Sequence, residues 1–147
     1  SIGHEGWPYI QHRGGPIGFL KVLSPKQLAF ADFSGNRQYI SVGNLTEHSK
    51  VALILMDYPH QSRLKILGQA RTIAPETNLE LAKQVIPKVE GIKTERIIVI
   101  EVDAYDWNCP QHITPRWTEA EIKVALAPLH EKIKHLENEL ALIRRQP

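Results

Sequence analysis

Four consecutive apolar residues, Ile97-Ile98-Val99-Ile100, constrain this chain more than any other stretch. A run with no polar member has no face to offer to water, so it reads as a strand buried on both sides. It sits inside a longer strand expected from Glu95 to Trp107. Other extended segments are expected over Trp7 to Arg13, Phe19 to Leu23, Gln27 to Phe33, Lys50 to Tyr58 and Arg63 to Ile73. Short turns join most of them: His4-Glu5-Gly6, Ser24-Pro25-Lys26 and Pro59-His60-Gln61-Ser62. Six or so strands linked this way argue for an antiparallel barrel, not a parallel nucleotide-binding sheet. The chain also lacks a G-x-G-x-x-G or Walker-type loop, which removes the Rossmann and P-loop readings.

Composition narrows the class further. A chain of 147 residues has room for one domain with a substantial core. Its net charge of +2, with Lys and Arg alternating with acids, argues against a nucleic-acid binder. A single cysteine excludes a disulfide framework and fits a reducing cytoplasm, so a cytoplasmic location is expected. No apolar run reaches the length of a membrane span and no secretory signal is visible, so no membrane partner is expected. None of the seven histidines falls into H-E-x-x-H or Cys/His ligand spacing, and no metal is expected. Ser1-Ile2-Gly3 reads like the end of a strand, and the expectation is that the native chain extends further toward its N-terminus.

Three segments read as helices. Arg37 to Gly43 is expected as a short one, and Thr77 to Ile86 as another that Pro87 ends. The third opens on Thr118-Glu119-Ala120-Glu121, which matches a capping box. From there Ile122, Leu126, Leu129, Ile133, Leu136, Leu140 and Ile143 recur in steps of four and three, a heptad seam flanked by charge. Pro128 interrupts it, so the helix either kinks or restarts there. The seam fits equally a helix packed on its own barrel and a contact between subunits.

One segment carries chemistry. Asp32-Phe33-Ser34-Gly35-Asn36-Arg37-Gln38-Tyr39-Ile40-Ser41 follows a strand and leads through a glycine turn toward a helix. Such a turn aims backbone N–H groups, hydroxyls and an arginine at one point, as a phosphate requires. A second group of donors, Gln11-His12-Arg13, lies upstream. An arginine in a turn ordinarily makes a surface ion pair. Arg37, set between Asn36 and Gln38, instead stands where uncharged donors converge.

Together these segments resemble the flavin-mononucleotide split-barrel family that includes pyridoxamine 5′-phosphate oxidase. The resemblance runs from about Gly6 to Arg116 and rests on the order of residue types in several separate segments. It implies a mainly β protein with helices: an antiparallel split barrel over 1–117 and a helical extension over 118–147. It implies a homodimer with FMN where the subunits meet, acting on a small-molecule substrate by flavin-dependent electron or hydride transfer. By this resemblance Asp32, Ser34, Asn36, Arg37 and Gln38 belong to the stretch that holds the phosphate and ribityl chain. The family commonly has Lys where Gln38 stands. Gln11, His12 and Arg13 fall on the strand that in the oxidases carries an Arg and then a Lys toward the flavin. Here Gln11 and Pro16 occupy those two places, which argues against pyridoxamine phosphate as the substrate.

Further along, the resemblance places a polar contact to the flavin ring at Arg63 or Lys65, and a tryptophan against the cofactor at Trp107. Arg63 and Lys65 read equally well as a solvated strand start. His112 and Arg116 fall in the substrate-side loop. Cys109 with His112 could suggest a thiol nucleophile, but no third orienting group accompanies them. No side chain demands a role as general acid or base. Two rivals remain: a non-catalytic, haem- or deazaflavin-binding barrel of the same superfamily, and an interaction protein that assembles through its terminal seam.

Overall fold

The Ile97–Ile100 run lies at the centre of a five-stranded sheet. In the computed structural model, which describes residues 1–35, 37–107 and 111–144, the strands are β1 (Lys21–Ser24), β2 (Gln27–Phe33), β3 (Lys50–Asp57), β4 (Ser62–Ile73) and β5 (Thr94–Trp107). Their spatial order is β1-β2-β5-β4-β3, with β5 antiparallel to both β2 and β4. The helices are α1 (Ile40–Glu47), α2 (Leu79–Val85) and α3 (Glu119–Ile143).

Alternation along β2 and β5 builds two cores, one on each face. Leu28, Phe30, Ile98 and Ile100 join Ile66 and Ala70 on one side. Ala29, Ala31, Ile97 and Val99 gather around Val85 of α2 on the other. The two alanines leave room for the helix to approach, and Val85 is completely buried. Each large side chain in these clusters contributes about 1.5–3 kcal/mol by leaving water. β3 has only one packed face, and Val51, Leu53 and Leu55 turn toward the Leu28–Phe30 side.

A bulge redirects the far end of β5. Leu67 pairs with Ala104 but Gly68 with Val102, leaving Asp103 as the extra residue. Beyond it the parity flips, so Tyr105 and Trp107 continue the face of Ile98, Ile100 and Val102 by pairing with Ile66 and Leu64. Only glycine fits at the bulge, because a Cβ on Gly68 would lie 2.3 Å from the Glu101 carbonyl oxygen.

Several segments differ from expectation. Trp7 to Arg13 is no strand: beyond one bridge, between Ile2 and Pro8, it runs without sheet pairing. Pro8 has no N–H to give a ladder, and Gln11 and Arg13 bond through their side chains instead. Phe19 sits in a turn closed by its N–H on the Pro16 carbonyl, so β1 starts only at Lys21. α1 begins at Ile40, not Arg37, because Arg37 and Tyr39 have φ of 57° and 55°, outside the right-handed helical region. The Thr77–Ile86 helix divides into a single turn over Pro75–Thr77 and α2, with Asn78 capping the Leu81 N–H at 3.0 Å. α3 continues as one helix past Pro128, and its capping box is complete.

By contacts the chain forms two compact units, Ser1–Leu55 with residues 64–107, and Met56–Arg63 with residues 111–144. In the second, the Gln61 side chain donates to the Ile113 carbonyl at 2.8 Å, and the Arg116 guanidinium lies 4.6 Å from the centre of the Tyr58 ring. No helix among the described residues is long and apolar enough to cross a membrane.

Candidate functional site

The cleft of the first unit opens where β2 ends. It measures about 270 Å³ and is lined by Gln11, His12, Arg13, Asp32, Arg37 and Arg96, among others. Asp32 is the floor. It is the last buried residue of β2 and stands directly opposite Arg96 in the β2–β5 register. Its carboxylate accepts from Arg96 at 2.8 Å and, on its other oxygen, from Arg13. A buried carboxylate is costly unless paired and hydrogen-bonded, and two guanidinium groups meet that demand.

The pairing extends into a closed circuit. Arg13 also donates to the Gln11 amide oxygen at 3.1 Å, and the same oxygen accepts from the Ser41 hydroxyl at 2.6 Å. On the opposite side, Arg96 donates to Glu95 at 2.9 Å, and Glu95 accepts from the Tyr39 hydroxyl at 3.2 Å. Tyr39 and Ser41 flank the start of α1, so the circuit ties both sides of the cleft to that helix. The Arg96 guanidinium also stacks 5.0 Å from the Tyr39 ring centre.

Two ionisations follow from this circuit. For Glu95, burial acts to raise the carboxyl, but hydrogen bonds from Ser34 and Tyr39 and the Arg96 charge outweigh it and hold it below its ordinary value. For Arg96, burial acts to lower the guanidinium. The hydrogen bond and charge of Asp32, with the charge of Glu95, overcome this and raise it.

The cleft thus contains two arginines matched by two carboxylates, and a third cation outside that balance. Arg37 lines the cleft in a left-handed turn and makes no ion pair with any described residue. A concave site with one exposed guanidinium outside the charge balance suits an anion. The sequence-expected residues divide accordingly. Gln11, His12, Arg13, Asp32 and Arg37 come together on the cleft, and Ser34 supports Glu95 beside it. Gln38 adjoins Arg37 in sequence without lining the cleft, while Asn36 lies outside the described residues.

The remaining candidates stand elsewhere. Lys65 pairs across the sheet with Asp106 at 2.8 Å on exposed surface. Arg63 keeps its Nε buried without a hydrogen-bond partner among the described residues. Trp107 is exposed at the end of β5. His112 adopts a left-handed backbone, and Arg116 rests on Tyr58. Cys109 lies outside the described residues. Among the described residues no three His, Cys, Asp or Glu side chains gather as metal ligands.

Arg96, Glu95 and Tyr39 were not legible as site residues. Arg96 opens an apolar strand and looks like an ordinary solvated end. The signal was available in register: aligned antiparallel, Ala29-Phe30-Ala31-Asp32 against Arg96-Ile97-Ile98-Val99 sets the sole acid opposite the sole base.

A small, mainly antiparallel β protein with an arginine-lined cleft at the end of an inner strand is the class these features define. Comparison makes the class specific. Residues 1–109 match the profile of the pyridoxamine 5′-phosphate oxidase family. The chain belongs to that family, and its fold is the split β-barrel with a C-terminal helix. A candidate pyridoxamine 5′-phosphate oxidase from Lactobacillus delbrueckii superposes with a TM-score of 0.50 at 23% identity, covering 71% of this chain and 78% of that one. HupZ from Group A Streptococcus gives 0.50 at 14% identity, covering 79% and 85%. At such identities the likeness concerns the fold. No functionally curated protein matches the sequence.

Proposed function

We propose that this protein binds flavin mononucleotide and acts as a flavin-dependent oxidoreductase. The observation that carries the reading is Arg37, an uncompensated guanidinium on a cleft whose other charges are already paired. Membership of the oxidase family supports the choice of ligand. The residues fit the phosphate and ribityl end. Arg37 is the charged donor, while Arg13 and Arg96, braced by Asp32, form a rigid wall beneath it. At about 270 Å³ the cleft falls just below the usual size of ligand sites, roughly 300–1,000 Å³. The ring therefore needs a further wall, which a second copy of the chain supplies in this reading. Trp107, exposed at the end of β5 on the face that also carries Arg96, is the candidate to meet it, whereas Lys65 points to the opposite face of the sheet.

When bound, the flavin supplies the electron or hydride transfer. The chain's own part is anchoring, orientation and exclusion of water. The paired carboxylates keep Arg13 and Arg96 from wandering, so little conformational entropy remains to be lost on binding.

The test is a titration of FMN and riboflavin into the protein and into Arg37→Ala. Removing one charge-assisted hydrogen bond costs about 1.5–3 kcal/mol, so FMN affinity should fall roughly 10- to 100-fold. Riboflavin, which lacks the phosphate, should change little. Equal loss of both ligands would remove Arg37 from the phosphate, and a haem Soret band in the purified protein would overturn the flavin reading.

A further inference from the structure

We propose that α3 is one half of a parallel, in-register two-stranded coiled coil made with a second copy of this chain. The proposal does not rest on flavin binding. It begins with the seam. Ile122, Leu126, Leu129, Ile133, Leu136, Leu140 and Ile143 lie on one stripe of a continuous 25-residue helix. None is buried, and their exposures run from 39% to 64%. Alternating steps of three and four make Leu126, Ile133 and Leu140 the a positions, and Ile122, Leu129, Leu136 and Ile143 the d positions. Pro128 then falls at an outward c position, where its missing N–H and ring do not touch the seam.

Flanking charges select the partner and its direction. In a parallel pair, each g residue meets the e residue five places on in the other helix. Lys132 at g meets Glu137 at e of the other copy, and Glu139 at g meets Arg144 at e. Symmetry doubles both contacts, so four attractive pairs form and no repulsive one among these charges. An antiparallel pair with its ends matched keeps only the two Lys132–Glu139 attractions between copies and offsets them with two repulsions of Lys123 against Arg144. Within their own chain, Lys132, Glu137 and Arg144 make no ion pair with any described residue, while Glu139 contacts His135 at 3.4 Å. The polar face carries both signs of charge, unlike the cationic face of a helix that lies on a membrane. Self-complementarity of this kind fits a two-fold axis running between the helices.

The test uses the full chain with Cys109→Ser, into which Leu136→Cys or Ile133→Cys is introduced. A parallel in-register pair brings each cysteine against its own copy, so mild oxidation should give a disulfide-linked dimer from either variant alone. His135→Cys, at an outward position, should give none. Adding Glu137→Lys should cut the yield severalfold by facing lysine with lysine, and the double exchange Lys132→Glu with Glu137→Lys should restore it. Cross-linking only in a mixture of Ile133→Cys and Leu136→Cys would mean an antiparallel pair and overturn the proposal. So would the absence of any cross-link, or a charge exchange that fails to rescue.

Discussion

Asp32 illustrates how a residue can matter to a ligand it need not touch. Its carboxylate is almost completely buried, whereas the side chains of Arg13 and Arg96 keep 27% and 21% of their surface. Removing one partner of such a network leaves charge without compensation, at a cost of about 3 kcal/mol. Asp32→Ala should therefore lower the unfolding free energy by that order, read as a fall of roughly 1–3 M in the urea midpoint, and an unchanged midpoint would show that water replaces the carboxylate at no cost. Glu95 gives a pH prediction. Its folded-state carboxyl lies below the ordinary value, so its contribution is present above about pH 4.3 and is lost as pH falls through the depressed value. Glu95→Gln should flatten the fall in melting temperature over that acid window while leaving the slope near neutrality unaltered. Arg37 stood out in the sequence through its neighbouring donors together with the family resemblance of the turn, but its place outside the charge balance was not legible. That required knowing that Arg96, about sixty residues on, neutralises Asp32 from the next strand.

Elements were legible where one physical signal dominated. β2 and the hairpin of β3 and β4 lie within a residue or two of expectation, because apolar runs bounded by Ser24-Pro25-Lys26 and by the residues around Pro59 admit few alternatives. The capping box placed the start of α3 for the same reason. Failures came where local pattern competed with backbone geometry or side-chain demand. The segment from Trp7 alternates like a strand, yet Pro8 has no N–H for a ladder, and the Gln11 and Arg13 side chains bond to Ser41 and Asp32 in the cleft. The helix expected at Arg37 starts three residues later because two left-handed residues precede it. The bulge was invisible, since a glycine in a strand signals several things. Gly68→Ala tests its importance: with the Glu101 oxygen 2.3 Å from the new Cβ, the strands must shift. A loss of about 1–3 kcal/mol is expected, read as a lower melting temperature. Equal stability would mean that the bulge relocates freely.

At the scale of the whole molecule, the bulge has a consequence for assembly. Ile98, Ile100 and their neighbours fill the core, and beyond Asp103 the same face ends in Tyr105 and Trp107, 66% and 62% exposed. Aromatic side chains at the edge of a core face are what the centre of a protein interface uses. In the reading proposed above, a second copy covers them and closes the wall that a 270 Å³ cleft lacks. Flavin binding and dimerisation are then linked: whatever binds only the dimer stabilises it, and dilution weakens both together. Apparent FMN affinity should fall as protein concentration drops through the dimer's dissociation range, and added FMN should shift that range downward. Tyr105→Asp should produce the same loss at concentrations where the parent is dimeric, because a charge enters an apolar contact only at a cost. Sedimentation with and without FMN, run alongside fluorescence titration, measures both sides of the linkage. An affinity that stays constant while the protein passes from dimer to monomer would place the whole flavin site within one chain, and Tyr105 and Trp107 would then need another explanation.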